Sequence, residues 1–219
     1  MQQEAAPSHV PFTPTSYGRG VRLLTAVLAA ALLTGCSAGT PVQGGGPRAA
    51  VDAPDAAAGA RIDGVQTYPY VAPDHRAAVV TYPQAPPVGG DHWPPSAGGV
   101  TGWLSCGTYA AAVPDEFAVH SLEHGAVWLT YLPGQDAAAL ADLAALRPDY
   151  VLVSPYAGQR GPYAATAWGA QLFVDRADDP RLAEFVRAYA GGAQGREPGA
   201  PCLGGATPAQ AQAALDAVR

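Results

Sequence analysis

Apolar residues are distributed along this chain in three distinct ways. Residues 1–20 are polar, and an almost unbroken apolar run, VRLLTAVLAAALLTGC, then occupies 21–36. From Ser37 to about Gly64 large apolar side chains nearly vanish in favour of Ala, Gly and Pro. Beyond Gln66, short β-branched and aromatic runs alternate with Leu/Ala-rich stretches, punctuated by Gly and Pro. That last pattern belongs to a folded domain, because periodicity is the primary signal of secondary structure.

Within the domain, residues 67–71 read as a short extended piece broken by Pro69, and 77–82 (AAVVTY) as a strand ended by Pro83. Residues 83–102 are dense in Pro and Gly and read as loop. Residues 126–132 have the Val, Trp, Thr and Tyr content of a strand, and Pro133-Gly134 breaks it. Residues 136–146 predict a helix, with Leu140, Leu143 and Leu146 spaced along one side and Pro148 stopping it. A strand is expected at 150–153, and 164–175 ends in another at 171–174, its alanine-rich start being ambiguous. Asp179-Pro180 opens a helix over 181–190 with Leu182, Phe185, Val186 and Tyr189 on one face, and a short helix fits 208–218. This order predicts an α+β fold: a mixed β-sheet with packed helices, in a single compact domain. The first strand–helix–strand unit is expected to be parallel with a right-handed crossover.

The N-terminal apolar run falls short of the ~20 residues needed to span a bilayer and suits a signal-peptide core. Its end, Leu33-Thr34-Gly35-Cys36, resembles a bacterial lipobox, in which the chain is cut before the cysteine and the thiol is lipidated. On that reading 1–35 is a lipoprotein-type signal peptide, Cys36 the site of lipidation, 36–64 an anchor and flexible linker, and 65–219 an extracytoplasmic domain. The expected location is the cell membrane, through an N-terminal lipid. The alternative is an ordinary secretory signal with a coincidental cysteine.

Composition narrows the partners. All twelve basic residues are arginine, scattered, and the formal net charge is −6. Loss of Glu4, Arg19 and Arg22 with the signal leaves 17 acidic and 10 basic residues, a net of −7. Phosphate binding needs clustered cations, so nucleic acid is excluded as a main partner. With Cys36 given to lipid, Cys106 and Cys202 remain, and an even remainder outside the cytoplasm reads as a disulfide. The alternative is a pair of soft metal ligands or reactive thiols.

Candidate chemistry concentrates in His120-Ser121-Leu122-Glu123-His124. On a helix, H-x-x-E-H places both histidines a turn apart on one face, as in the inverted zincin peptidases, where the glutamate is general base. The glycine and strand that follow leave little room for a long helix, so the motif reads as a pre-strand turn. Two ligands from His120 and His124, completed by His92 (or His75) with Glu123 as ligand or orienter, would suit Zn(II) or Cu(II). Copper(I) thioether sites are excluded, the only methionine being Met1. Trp93 and Trp168 are candidates to line such a site, Trp168 otherwise being a core plug. A plainer alternative has the histidines bonded to backbone groups and Glu123 paired with Arg76 or Arg160. Ser105, Ser121 and Ser154 lie in no G-x-S-x-G elbow, so a hydrolase triad has little support.

Several segments together resemble a bacterial domain of unknown function, number 3105. They are Val80-Thr81-Tyr82-Pro83, Gly89-Gly90-Asp91-His92, His120-Ser121-Leu122-Glu123-His124-Gly125, Ala165-Thr166-Ala167-Trp168-Gly169 and the tail Glu197-Pro198-Gly199-Ala200-Pro201-Cys202. Asp91 stands where that family is associated with a proline. The resemblance spans about 60–205 and implies a secreted or membrane-anchored protein, but no reaction. The favoured function is therefore transition-metal binding. Its rivals are a cell-envelope protein-interaction module without metal and a small metallohydrolase using Glu123 as general base.

Overall fold

The computed structural model describes residues 62–69 and 73–219. The signal peptide, Cys36, the linker up to residue 61 and residues 70–72, which include the end of the first extended piece, lie outside the described residues.

The strands are β1 (Gln66–Thr67), β2 (Ser96–Ala97), β3 (Val100–Thr101), β4 (Gly107–Thr108), β5 (Val127–Tyr131), β6 (Val151–Pro155), β7 (Tyr163–Ala167) and β8 (Ala170–Val174). The helices are α1 (Asp115–Glu123), α2 (Ala138–Ala144), α3 (Pro180–Tyr189) and α4 (Pro208–Asp216). Six strands form one sheet in the order β1-β8-β7-β5-β6-β4. The β5/β6 and β4/β6 pairs are parallel and the β1/β8, β5/β7 and β7/β8 pairs antiparallel, so the sheet is mixed, as expected. β2 and β3 form a separate small hairpin.

Side chains on a strand alternate between faces, and here both faces are covered. Val127, Leu129, Val151 and Val153 point into a core with Leu140 of α2 and with Leu182, Phe185, Val186 and Tyr189 of α3; this core reaches back to Ile62. Trp128 and Leu152 point the other way, into a second core with Phe117, Val119 and Leu122 of α1, Leu215 of α4, Trp93 and Trp168. The candidate site belongs to this second layer. The Cys106–Cys202 disulfide joins two loops there, with Cα atoms 5.3 Å apart.

The stretch 83–102, expected to be loop throughout, contains the β2/β3 hairpin, and three further expectations need correction. The 77–82 strand does not form: Val79 is half exposed, and the Val80 N–H donates to the Glu116 carboxylate at 2.9 Å instead of to a neighbouring strand. Strand propensity reflects fit to a pleated, half-buried surface, and no such surface is available to these residues. The ambiguous alanine-rich start of 164–175 is a strand of its own, β7, paired on both sides and wholly buried. The pre-strand turn at His120 is in fact the nine-residue helix α1. Asp115 and Glu116 occupy its first turn, where carboxylates complement the helix dipole. At its end the Ala126 N–H donates to Ser121 O (3.0 Å) and the Gly125 N–H to Leu122 O (2.9 Å). That bond pair is a Schellman termination, and Gly125, at φ 95°, supplies the left-handed residue it requires.

The disulfide closes a sequence separation of 96 residues, and in the chain-entropy model a loop of that length strongly constrains the unfolded chain. We expect the Cys106→Ser/Cys202→Ser protein to lose about 2–5 kcal/mol in urea unfolding. An unchanged midpoint would show that the bridge contributes nothing to stability.

Candidate metal centre

Helix α1 sets the geometry. His120 and Glu123 are three residues apart and so neighbours on its surface, and both are buried. His92 reaches them from the loop before β2. Its backbone forms a parallel bridge with His75, the Arg76 N–H donating to His92 O at 2.8 Å and the His92 N–H to Asp74 O at 3.2 Å. Asp91 reinforces that clamp, accepting from the Asp74 N–H (2.9 Å) and pairing with Arg76 Nε (2.8 Å). The four side chains converge. Glu123 Oε2 lies 2.9 Å from His92 Nε2 and 3.6 Å from His75 Nε2. One potential ligand atom from each of His75, His92, His120 and Glu123 lies within 4.8 Å of the other three, so this His/Glu cluster could hold a metal ion.

Backbone carbonyls decide the protonation of the rings. Nδ1 of His92 faces Gly90 O (2.8 Å), that of His120 faces Trp93 O (2.6 Å) and that of His124 faces Pro201 O (2.8 Å). A carbonyl oxygen only accepts, so each Nδ1 must carry the proton and donate it. In a neutral ring the lone pair is then on Nε2. For His120 that Nε2 is buried and has no hydrogen-bond partner. Burial, together with the neighbouring His92 and His124 rings, pulls the His120 pKa from an ordinary 6.5 down to about 3, against the raising effect of the Trp93 carbonyl bond. His120 is therefore a neutral imidazole with a free lone pair aimed into a cluster of donors, the state a metal ligand must have.

A second group overlaps the first: His120, His124 and Glu197 also offer ligand atoms within 4.8 Å of one another. His124 Nε2 stands 3.4 Å from Glu197 Oε2. The expected set of His92, His120, His124 and Glu123 is thus divided, with His75 joining His92, His120 and Glu123 in the first group and His124 falling in the second through the shared His120. Glu197 was not anticipated. The available signal was the staple itself, since a Cys106–Cys202 bridge carries the tail, and with it Glu197, to the motif. Gly195 makes this close approach feasible, because a Cβ there would stand 2.5 Å from Glu123 O.

The tryptophans divide as well. Trp168 is buried, its ring edge-on to His92 at 5.9 Å, and it also walls a cleft of about 350 Å³ lined by Tyr68, Pro69, Tyr82 and Pro83. It serves the core and the site together. The Trp93 ring stacks on Phe117 (5.1 Å), and only its carbonyl serves His120. Trp103, which the sequence did not single out, lies 4.9 Å from the His124 ring. Glu123 pairs with neither arginine proposed for it: Arg76 is taken by Asp74 and Asp91, and Arg160 sits over the Phe173 ring. Ser121 Oγ donates to Leu104 O and accepts from the Leu104 N–H, and Ser154 Oγ accepts from Trp128 Nε1. Both hydroxyls are committed to structure.

A family model described as "Protein of unknown function (DUF3105)" matches residues 75–204, more than half of the chain, and the chain belongs to that family. The match runs from His75 to just beyond Cys202 and so contains both ligand groups. No curated protein and no solved structure matches the chain.

The His120 shift carries a pH dependence for the metal-free protein. The unfolded imidazole takes a proton near pH 6.5 and the folded one only near about 3, so between those values the unfolded state binds more protons. Stability is then lost as pH falls through that window, by up to about 1.4 kcal/mol per pH unit from this group. Ring NMR signals of His120 should show no titration step near pH 6.5, and His120→Asn should flatten the stability slope there. An ordinary His120 titration would overturn the assignment.

Proposed function

We propose that this protein binds one transition-metal ion, Zn(II) or Cu(II), through His75, His92, His120 and Glu123, outside the cytoplasm and at the end of a lipid tether. The observation that carries the reading is the buried, unpartnered Nε2 of His120, aimed into a cluster with two further imidazoles and a carboxylate. Leaving a buried acceptor unsatisfied costs about 1–3 kcal/mol, and a bound cation removes that cost. Imidazole and carboxylate donors suit zinc and oxidised copper. The Nδ1–H bonds to Gly90 O and Trp93 O are of the kind that orient metal-bound histidines and raise their basicity.

Four protein donors match a closed tetrahedral shell, the form of a site that holds an ion rather than one that activates water. Glu123 has its Oε2 against two imidazoles and is absent from the His124–Glu197 group, which speaks against a free general base there. Retention or delivery of the ion therefore fits better than hydrolysis. The anchor rests on the short apolar run ending at Cys36, and the extracytoplasmic side is supported by a disulfide, which persists in oxidising compartments.

Two experiments test this. Residues 37–219, incubated with Zn(II) or Cu(II) and desalted, should retain one ion per chain, and His92→Ala/His120→Ala should lower retention at least about tenfold. Equal metal in both proteins would sink the reading. For the tether, Cys36→Ser should shift the protein from the membrane fraction to the soluble one and abolish labelling by radioactive fatty acid. Membrane association that survives the substitution would exclude a lipid anchor at Cys36.

A further inference from the structure

We infer that the bound ion uses two overlapping positions that share His120, and that it loads through the outer one, formed with His124 and Glu197, before passing to the inner one with His75, His92 and Glu123. This rests on the metal-binding reading above and adds a route to it.

The overlap follows from valence. Both ligand groups contain His120, and its Nδ1 is committed to the Trp93 carbonyl, so a single nitrogen, Nε2, must serve both. One lone pair binds one ion, so the two positions are alternatives occupied in turn. They are also close: the His92 and His124 rings each lie 4.8 Å from the His120 ring, one in either group. An ion can exchange His124 for His92 while Nε2 of His120 stays bound, so no naked ion has to cross apolar core.

The direction follows from exposure and charge. The Glu197 side chain is 46% exposed, whereas the Glu123 side chain is buried. An exposed carboxylate draws a hydrated dication and raises its rate of capture. Three outer donors leave coordination positions for water, as a capture site needs, and four inner donors close the shell. The competing mouth is His75, with 38% of its side chain exposed. It offers an imidazole rather than a free carboxylate, the adjacent Asp74 and Asp91 being paired with Arg76, and its backbone is clamped to His92 through the parallel bridge and Asp91. The outer position depends on the staple: Pro201, whose carbonyl orients the His124 ring, is adjacent to Cys202 of the disulfide.

The test uses the full-length chain in detergent, rapid mixing with Cu(II), quenching of tryptophan fluorescence as the loading signal, and stripping by excess chelator. Glu197→Gln should slow loading and stripping in parallel, each at least about tenfold, because a step on the route is slowed in both directions. His75→Asn should instead speed stripping and alter the copper EPR spectrum, because it removes a ligand of the resting ion. The inference falls if Glu197→Gln loads at the wild-type rate, if it strips faster (which would make Glu197 a resting ligand), or if wild type holds two ions per chain. Wild-type protein that retains no copper and no zinc would remove the binding reading and this route together. Normal retention with unslowed Glu197→Gln would remove the route alone.

Discussion

Helix α1 has to stop and the chain has to turn into β5 within three residues, and the cluster follows from how that is done. A Schellman termination at Gly125 satisfies the last helical carbonyls and holds φ at a value few side chains tolerate. It leaves His120 and Glu123 on the helix, facing the loop that brings His92, and puts His124 at the C-cap, facing the tail. The same turn is a docking point, since Gly125 O accepts from the Gly191 N–H and the Glu197 N–H donates to Glu123 O. The histidine pair, the end of α3 and the Cys202 tail are thus fixed by one piece of backbone.

What could be read from the sequence and what could not separate along physical lines. The strands holding Trp128 and Leu152 declare themselves as continuous apolar, β-branched runs that are buried on both faces, and helix α3 by its single apolar face at a solvent boundary. Helix α1 does not. Phe117, Ala118, Val119, His120, Ser121, Leu122 and Glu123 are all buried, so no polar face marks its period. Its real signatures were terminal ones, acidic residues after Pro114 and glycine after His124. Residues 77–82 fail for the converse reason, a strand-like composition in a segment that pairs with no strand and gives its Val80 N–H to Glu116. The pairing of His75 with His92, and of Glu197 with His124, depends on loop crossings that no local pattern encodes. The disulfide alone hinted at the second.

Backbone oxygens, more than side chains, specify the chemistry of the cluster. Gly90 and Trp93 lie in the loop before β2 and Pro201 in the C-terminal tail, yet each places a carbonyl on the Nδ1 of one histidine. This fixes tautomer and ring orientation together, so the lone pairs converge without any side chain dedicated to holding them. Asp91 takes up a related task by tying Asp74 and Arg76 to the His92 loop. The carboxylate joins two segments of backbone.

Counting protons at the inner cluster gives the strongest argument about what it is built to hold. With both Nδ1 protons committed to carbonyls, neutral His92 and His120 each present Nε2 as an acceptor, and Glu123 Oε2 adds a third. Acceptors do not bond to one another. A proton between His92 and Glu123 at 2.9 Å would satisfy that pair but leave His120 Nε2 bare, as it stands. A water molecule has two protons to offer three acceptors, and so it also leaves one unmet. A divalent cation would engage all three at once, with the His75 ring as a fourth donor, and would offset the charge of the buried carboxylate.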